Sequence, residues 1–149
     1  MSSINDSEAS VAWRGFHHVA LATPNLDATI NFYTKVLGMQ ASEIFPGRHV
    51  FIKPGMTDSW GIHFFEKKDA QLFTFPGAPD PLKLERNGFA AGFLQHIAFA
   101  LPNEEIALIL KERLESYGVL STDITSIGPI RNLLFYDIHG LLLEATWPS

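Results

Sequence analysis

His18-Val-Ala-Leu-Ala-Thr-Pro-Asn25 and His96-Ile-Ala-Phe-Ala-Leu-Pro-Asn103 are two copies of one octamer within this chain. Five of the eight positions are identical, and the second copy starts 78 residues after the first. A match of this length within 149 residues indicates an internal duplication, and duplicated sequence predicts duplicated structure. We therefore expect two equivalent modules.

The residues after each octamer follow one common pattern. Asn25 and Asn103 are of a type favoured as a helix cap, and apolar residues follow them at helical spacing until Gly38 and Gly118. Apolar segments typical of strands come next, so each copy predicts the order βαβββ. The strands predicted after the helices cover residues 39–45, 49–53 and 60–66 in the first copy and 119–127, 132–136 and 141–147 in the second.

Proline and glycine mark the junction between the two copies. The segment FPGAPDP is followed by RNGFAAG, which is punctuation typical of a connector rather than of a third domain. The sequence thus predicts a single domain over residues 1–149. Its first module covers about 15–66, its linker 67–92 and its second module about 93–147.

Each octamer begins with a histidine on a face that otherwise carries small residues. Side chains alternate along a strand, so His18 shares a face with Ala20 and Ala22, and His96 shares one with Ala98 and Ala100. By the same alternation His17 is expected on the opposite face from His18. If the two copies face each other, His18 and His96 enter one cavity.

The last strand of each copy carries a further polar residue. His63 lies 45 residues after His18, and Glu144 lies 48 residues after His96, so the two occupy roughly corresponding positions. Glu144 stands within Leu-Leu-Leu-Glu-Ala-Thr, and a buried ionised carboxylate is costly unless it is paired or bound to a metal. We therefore predict a divalent cation bound by His18, His96 and Glu144, with His63 as a further residue of the same cavity that contacts the substrate.

Composition limits the classes of partner. The chain has 46% hydrophobic and 18% charged residues and a formal net charge of −5, which argues against nucleic acid and anionic membranes as partners. No apolar run approaches the roughly 20 residues that cross a bilayer, and the polar start predicts a cytoplasmic protein. Cysteine is absent, so a metal would have to be bound by histidine and carboxylate side chains.

Three segments of this chain resemble the vicinal oxygen chelate superfamily, which includes glyoxalase I, fosfomycin-resistance enzymes, methylmalonyl-CoA epimerase and extradiol dioxygenases. They are FHHVALATPNLDATINFYTKVLGM (16–39), LQHIAFALPN (94–103) and FYDIHGLLLEAT (135–146). The resemblance implies an α+β fold in which two paired βαβββ modules form a U-shaped mixed sheet around a central metal cavity. It also places His18, His96 and Glu144 at the family's ligand positions, and His63 where glyoxalase I has a fourth ligand.

The resemblance implies a glyoxalase-like metalloenzyme with lyase- or isomerase-type chemistry on a small organic substrate. Its metal would be Fe, Mn, Ni, Co or Zn, since all tolerate these ligands, and its assembly a homodimer. The resemblance identifies no catalytic base and implies no organic cofactor. Two alternatives stay open: an extradiol-type dioxygenase, although Leu134 stands where those enzymes have a catalytic tyrosine, and a non-catalytic binding or resistance protein.

Overall fold

The computed structural model describes residues 11–71 and 94–149 of the chain, so most of the predicted linker lies outside the described residues. The first module contains strands β1 to β4 and helix α1, which continues directly as a π-helical turn. Their bounds are β1 His18–Thr23, α1 Leu26–Asn31, the π-helical turn Phe32–Val36, β2 Gln40–Phe45, β3 His49–Lys53 and β4 Gly61–Glu66. The second module contains β5 Ile97–Ala100, α2 Glu104–Ser116, β6 Thr125–Ile127, β7 Ile130–Tyr136 and β8 Leu142–Pro148.

The described strands form two four-stranded mixed sheets with the same topology. Their orders are β1-β4-β3-β2 and β5-β8-β7-β6. In each sheet the first and last strands of the module are parallel, and the other neighbours are antiparallel. The α+β fold of paired βαβββ modules is confirmed.

The helices begin and end where the sequence predicts. The side chains of Asn25 and Asn103 accept hydrogen bonds from the backbone N–H groups of Ala28 and Ile106, which satisfies a donor that the first turn of a helix leaves open. Gly38 and Gly118 follow the helices with φ of +72°. The first helix differs from expectation in its second half, which has a π-helical turn near Thr34. The Thr34 hydroxyl donates to the Ile30 carbonyl at 2.7 Å, an interaction that distorts helices.

One predicted strand is much shorter than expected. Residues 119–127 were predicted as a strand, and only Thr125–Ile127 forms one. Upstream, the Thr122 hydroxyl accepts the N–H of Leu134 at 2.9 Å, and Ser121 makes an isolated bridge to Phe135. A side chain thus replaces a backbone carbonyl in the pairing, which explains why regular strand geometry is lost there.

The helix-facing sides of both sheets contribute to one hydrophobic cluster. In the first module this side carries Val50, Ile52, Ile62 and Phe64, all at most 3% exposed. In the second module the corresponding buried residues are Leu133, Phe135, Leu143, Ala145 and Trp147. The predicted polar positions thus fall on the opposite sides of the sheets, because strand residues alternate between faces. In the described part of the chain no helix is long and apolar enough to cross a membrane.

Candidate metal centre

His96 and Glu144 are in contact within the second module. His96 directly precedes β5, while Glu144 lies on β8 opposite Ala98. The Nε2 atom of His96 is 3.0 Å from Oε2 of Glu144, and Asn132 Nδ2 donates to Glu144 Oε1 at 3.4 Å. Glu144 is only 8% exposed, so its carboxylate is buried and held by these two neighbours.

The spacing of this pair fits two ligands of one cation. Two donor atoms at about 2.1 Å from an ion and about 90° apart lie about 3.0 Å from each other. The observed separation of 3.0 Å between His96 Nε2 and Glu144 Oε2 is that of an ordinary N–H···O hydrogen bond and is also compatible with this value. A buried carboxylate and an imidazole are also donors that Fe, Mn, Ni, Co and Zn accept. These two residues therefore fit a divalent metal.

His18 and His96 line the same cavity from the two modules. The cavity has a volume of about 380 Å³. The first module contributes Phe16, His18, Val19, Pro54, Ser59, Gly61 and Ile62, and the second contributes His96, Ile97, Ala98 and Phe99. His18 is the first residue of β1 and lies opposite Gly61 of β4. Of the small residues predicted beside the two histidines, Ala98 lines this cavity, and Gly61 of β4 lines it as well.

Within residues 11–71 and 94–149, no three His, Asp or Glu side chains lie close enough together to bind one ion. The structure brings His96 and Glu144 into contact and places His18 on the cavity that His96 lines. A ligand set of His18, His96 and Glu144 thus stays a prediction.

His63 lies in an aromatic environment on the first sheet. Its ring stacks on Phe51 with centroids 3.8 Å apart and contacts Phe65 at 4.0 Å. Its Nε2 atom is 3.2 Å from Nδ1 of His49, and its centroid is 5.8 Å from that of His18. Burial, with His49 and His18 nearby, lowers the pKa of His63 from its ordinary value of 6.5. The ring is therefore neutral at pH 7 and can accept a proton, a hydrogen bond or a metal.

The predicted orientation of His17 is wrong. Its Nδ1 atom is 2.8 Å from Nδ1 of His18, so the two rings approach each other instead of facing opposite ways. Strand β1 begins at His18, and the alternation of side chains therefore does not extend back to His17. His17 stacks on Trp60, and neither this contact nor that between His49 and His63 was predicted from the sequence. Trp60 and His49, the partners in these two contacts, belong to neither octamer.

The fold and the site together define a class of protein. Two βαβββ modules contribute a histidine each to a cavity, and the second histidine is in contact with a buried glutamate on the last strand. The sequence profile of the Glyoxalase/Bleomycin resistance protein/Dioxygenase superfamily matches residues 15–144. The chain belongs to this superfamily.

Individual proteins are similar to this chain in sequence or in fold. The chain is 29% identical over 152 residues to mouse (Mus musculus) mitochondrial methylmalonyl-CoA epimerase, covering 92% of this chain and 76% of the relative. A lactoylglutathione lyase structure from Agrobacterium tumefaciens has a TM-score of 0.63 at 18% identity, covering 90% of this chain and 93% of that one. A glyoxylase/bleomycin resistance protein/dioxygenase domain from Frankia sp. EAN1pec has a TM-score of 0.66 at 22% identity, covering 93% and 94%.

Proposed function

We propose that this protein is a glyoxalase-like metalloenzyme that binds two neighbouring oxygens of a small organic substrate at a divalent cation and catalyses a lyase- or isomerase-type reaction. The observation that carries the proposal is the 3.0 Å contact between His96 and Glu144 at a cavity that His18 enters from the other module. The names of the relatives, an epimerase and a lyase, support this type of reaction. The homodimer and the cytoplasmic location stay predictions.

The residues of the site have distinct tasks in this proposal. His18, His96 and Glu144 would hold the cation, with His63 as the candidate for a fourth position. One carboxylate and neutral imidazoles leave a divalent ion with net positive charge. When bound, such an ion supplies Lewis-acid polarisation of a substrate carbonyl, which acidifies the adjacent C–H bond.

The cavity walls determine what can bind beside the cation. Val19, Ile62, Ile97 and Phe99 line it with apolar side chains, and Ser59 adds a hydroxyl beside the histidines. A volume of about 380 Å³ suits a small organic molecule. Apolar walls also limit the access of water to a reactive substrate.

The test is the metal content of the full-length protein purified without chelator. The wild type is expected to contain about one equivalent of a divalent transition metal, and His96→Ala is expected to lose most of it, because the ligand that contacts Glu144 is gone. His139→Ala removes a histidine of the β7–β8 turn that does not line the cavity, and should keep the metal.

Metal-free protein in all three cases would contradict the proposal and favour the non-catalytic binder. The dioxygenase alternative has less support, since the apolar Leu134 lies directly opposite Glu144 on β7. Oxygen consumption with a catechol in the presence of Fe(II) would nevertheless show it, and deuterium exchange beside the carbonyl of a substrate would show lyase- or isomerase-type chemistry.

A further inference from the structure

Two of the predicted metal-site histidines are each paired with a second histidine. His18 Nδ1 lies 2.8 Å from His17 Nδ1, and His63 Nε2 lies 3.2 Å from His49 Nδ1. We call His18 and His63 the inner histidines, and His17 and His49 the outer histidines. In both pairs the outer ring contributes its Nδ1 atom.

Each outer ring is held in place by an aromatic neighbour. The His17 ring stacks on Trp60 at a centroid distance of 5.3 Å and an interplanar angle of 29°, and its carbonyl accepts the Trp60 N–H at 2.7 Å. The His49 ring stacks on Phe45 at 4.8 Å and 25°. Each outer ring therefore has an aromatic contact besides the one with its inner histidine.

A hydrogen bond between two neutral imidazoles determines which nitrogen of each ring carries the proton. A neutral imidazole has one N–H donor and one lone pair, so one ring of each pair must donate. If the inner ring donates, its second nitrogen keeps a lone pair that can bind a cation. If the outer ring donates, the second nitrogen of the inner ring carries the hydrogen and cannot bind one. Histidines that bind metals generally donate their other N–H to an acceptor.

We propose that His17 and His49 are positioning residues that accept the N–H groups of His18 Nδ1 and His63 Nε2, leaving lone pairs on His18 Nε2 and His63 Nδ1 for the cation site. Both the direction of the two hydrogen bonds and the role of those lone pairs rest on the proposed function, but the direction is measurable in the metal-free protein. Both outer rings then carry their own proton on Nε2. His63 acts through Nδ1 because its Nε2 is engaged by His49.

The direction of the hydrogen bonds is measurable without metal. Two-bond ¹H–¹⁵N correlation spectra of the metal-free, full-length, ¹⁵N-histidine-labelled protein identify the protonated nitrogen of each ring. They should be recorded at about pH 8, above the ordinary imidazole pKa of about 6.5. The expected result is the Nδ1–H form for His18 and the Nε2–H form for His63.

Matched variants test whether the outer rings cause this. His49→Phe keeps an aromatic ring against Phe45 but removes the acceptor, so His63 is expected to become a mixture of both forms. His49→Asn places an amide oxygen close to the former Nδ1 and should restore the Nε2–H form. His17→Phe and His17→Asn should do the same for His18. Two results would overturn the inference for the pair of His63 and His49. One is a wild type in which His63 carries its hydrogen on Nδ1, and the other is a folded His49→Phe variant in which His63 stays in the Nε2–H form.

Titration with Co(II) alone separates this inference from the proposed function. The two Phe variants are expected to bind Co(II) about 10- to 100-fold more weakly than the wild type, as is usual when the outer partner of a metal-binding histidine is lost. The Asn variants should bind close to normally. If the wild type has the expected protonated nitrogens but binds no Co(II), the proposed function is wrong and the direction of the hydrogen bonds still holds. Normal Co(II) binding by both Phe variants would overturn the positioning role.

Discussion

At the scale of single residues, Glu144 is the residue that differs most clearly from its neighbours in the chain. It stands among apolar residues of β8 and is 8% exposed, although burying a carboxylate costs several kcal/mol unless it is compensated. His96 and Asn132 provide that compensation in part. A fold that needed only stability would be served as well by an apolar residue, and we therefore propose Glu144 as a metal ligand.

Replacing Glu144 by Gln separates stability from metal binding. The variant keeps the shape of the side chain and removes the buried charge, so the free energy of unfolding of the metal-free protein should change by no more than about 1 kcal/mol. Affinity for Co(II) should fall at least about tenfold, because a neutral amide is a poorer ligand for a divalent cation than a carboxylate. Calorimetric titration and urea unfolding measure the two quantities.

Glu115→Gln is the control for the loss of one negative charge, since the Glu115 side chain is 62% exposed and pairs only loosely with Lys111 at 3.8 Å. Equal Co(II) affinity in wild type and Glu144→Gln would remove Glu144 from the metal site.

At the scale of elements, the start of β4 depends on a glycine that the sequence analysis did not single out. Gly61 has φ of +76°, lies opposite His18 and lines the cavity. A Cβ atom at this position would be 2.1 Å from the Ile52 carbonyl oxygen and 2.6 Å from Cδ of Pro54. Only glycine permits β4 to begin this close to the end of β3, and this approach brings Gly61 alongside His18.

Substituting alanine at Gly61 should therefore destabilise the protein by at least about 2 kcal/mol, through left-handed backbone strain and the clash with Ile52. Thermal unfolding measures the loss. Gly55→Ala is the matched control in the same connection: its φ is not positive and nothing lies within 4 Å of an added Cβ, so a change within about 0.5 kcal/mol is expected. Equal stability of the two variants would show that the β3–β4 connection adapts to a side chain.

At the scale of the whole molecule, one buried hydrogen bond ties the two modules together. Tyr33, on the π-helical turn of the first module, donates from its hydroxyl to Oδ2 of Asp137 at 2.9 Å, and Asp137 lies in the β7–β8 turn of the second. Asp137 also accepts the N–H groups of His139 and Leu141 through Oδ1, which closes the turn. Burial raises the pKa of Asp137 above its ordinary value of 3.8, although these hydrogen bonds act in the opposite direction.

The raised pKa predicts a pH-dependent contribution to stability. The folded state binds the Asp137 proton more tightly than the unfolded state does, so this contribution is fully present below pH 3.8 and is lost as the pH rises through the folded pKa. The free energy of unfolding of the wild type minus that of Asp137→Asn should therefore decrease with rising pH, starting below pH 4. Urea unfolding at a series of pH values measures it.

Asp123→Asn, at an exposed position, is the control for charge alone. A wild-type curve that runs parallel to the Asp137→Asn curve at all pH values would contradict the prediction.

The sequence by itself determined the two modules and which side of each sheet carries the polar side chains. The duplicated octamers, the two asparagine caps and the alternation of small and bulky residues are local patterns, and local spacing dictates which elements form and which face each side chain takes. These patterns, together with the duplication, predict that His18 and His96 line one cavity and that Glu144 is buried on β8.

Only the tertiary structure decided which side chains touch. The contacts of His17 with His18, of His49 with His63 and of Tyr33 with Asp137 depend on where a strand begins, on rotamers and on how the modules pack. None of these leaves a periodic signal in the sequence, because residues far apart in the chain or outside a strand obey no common spacing. The 3.0 Å separation of His96 and Glu144 is likewise a property of packed strands and not of the chain order.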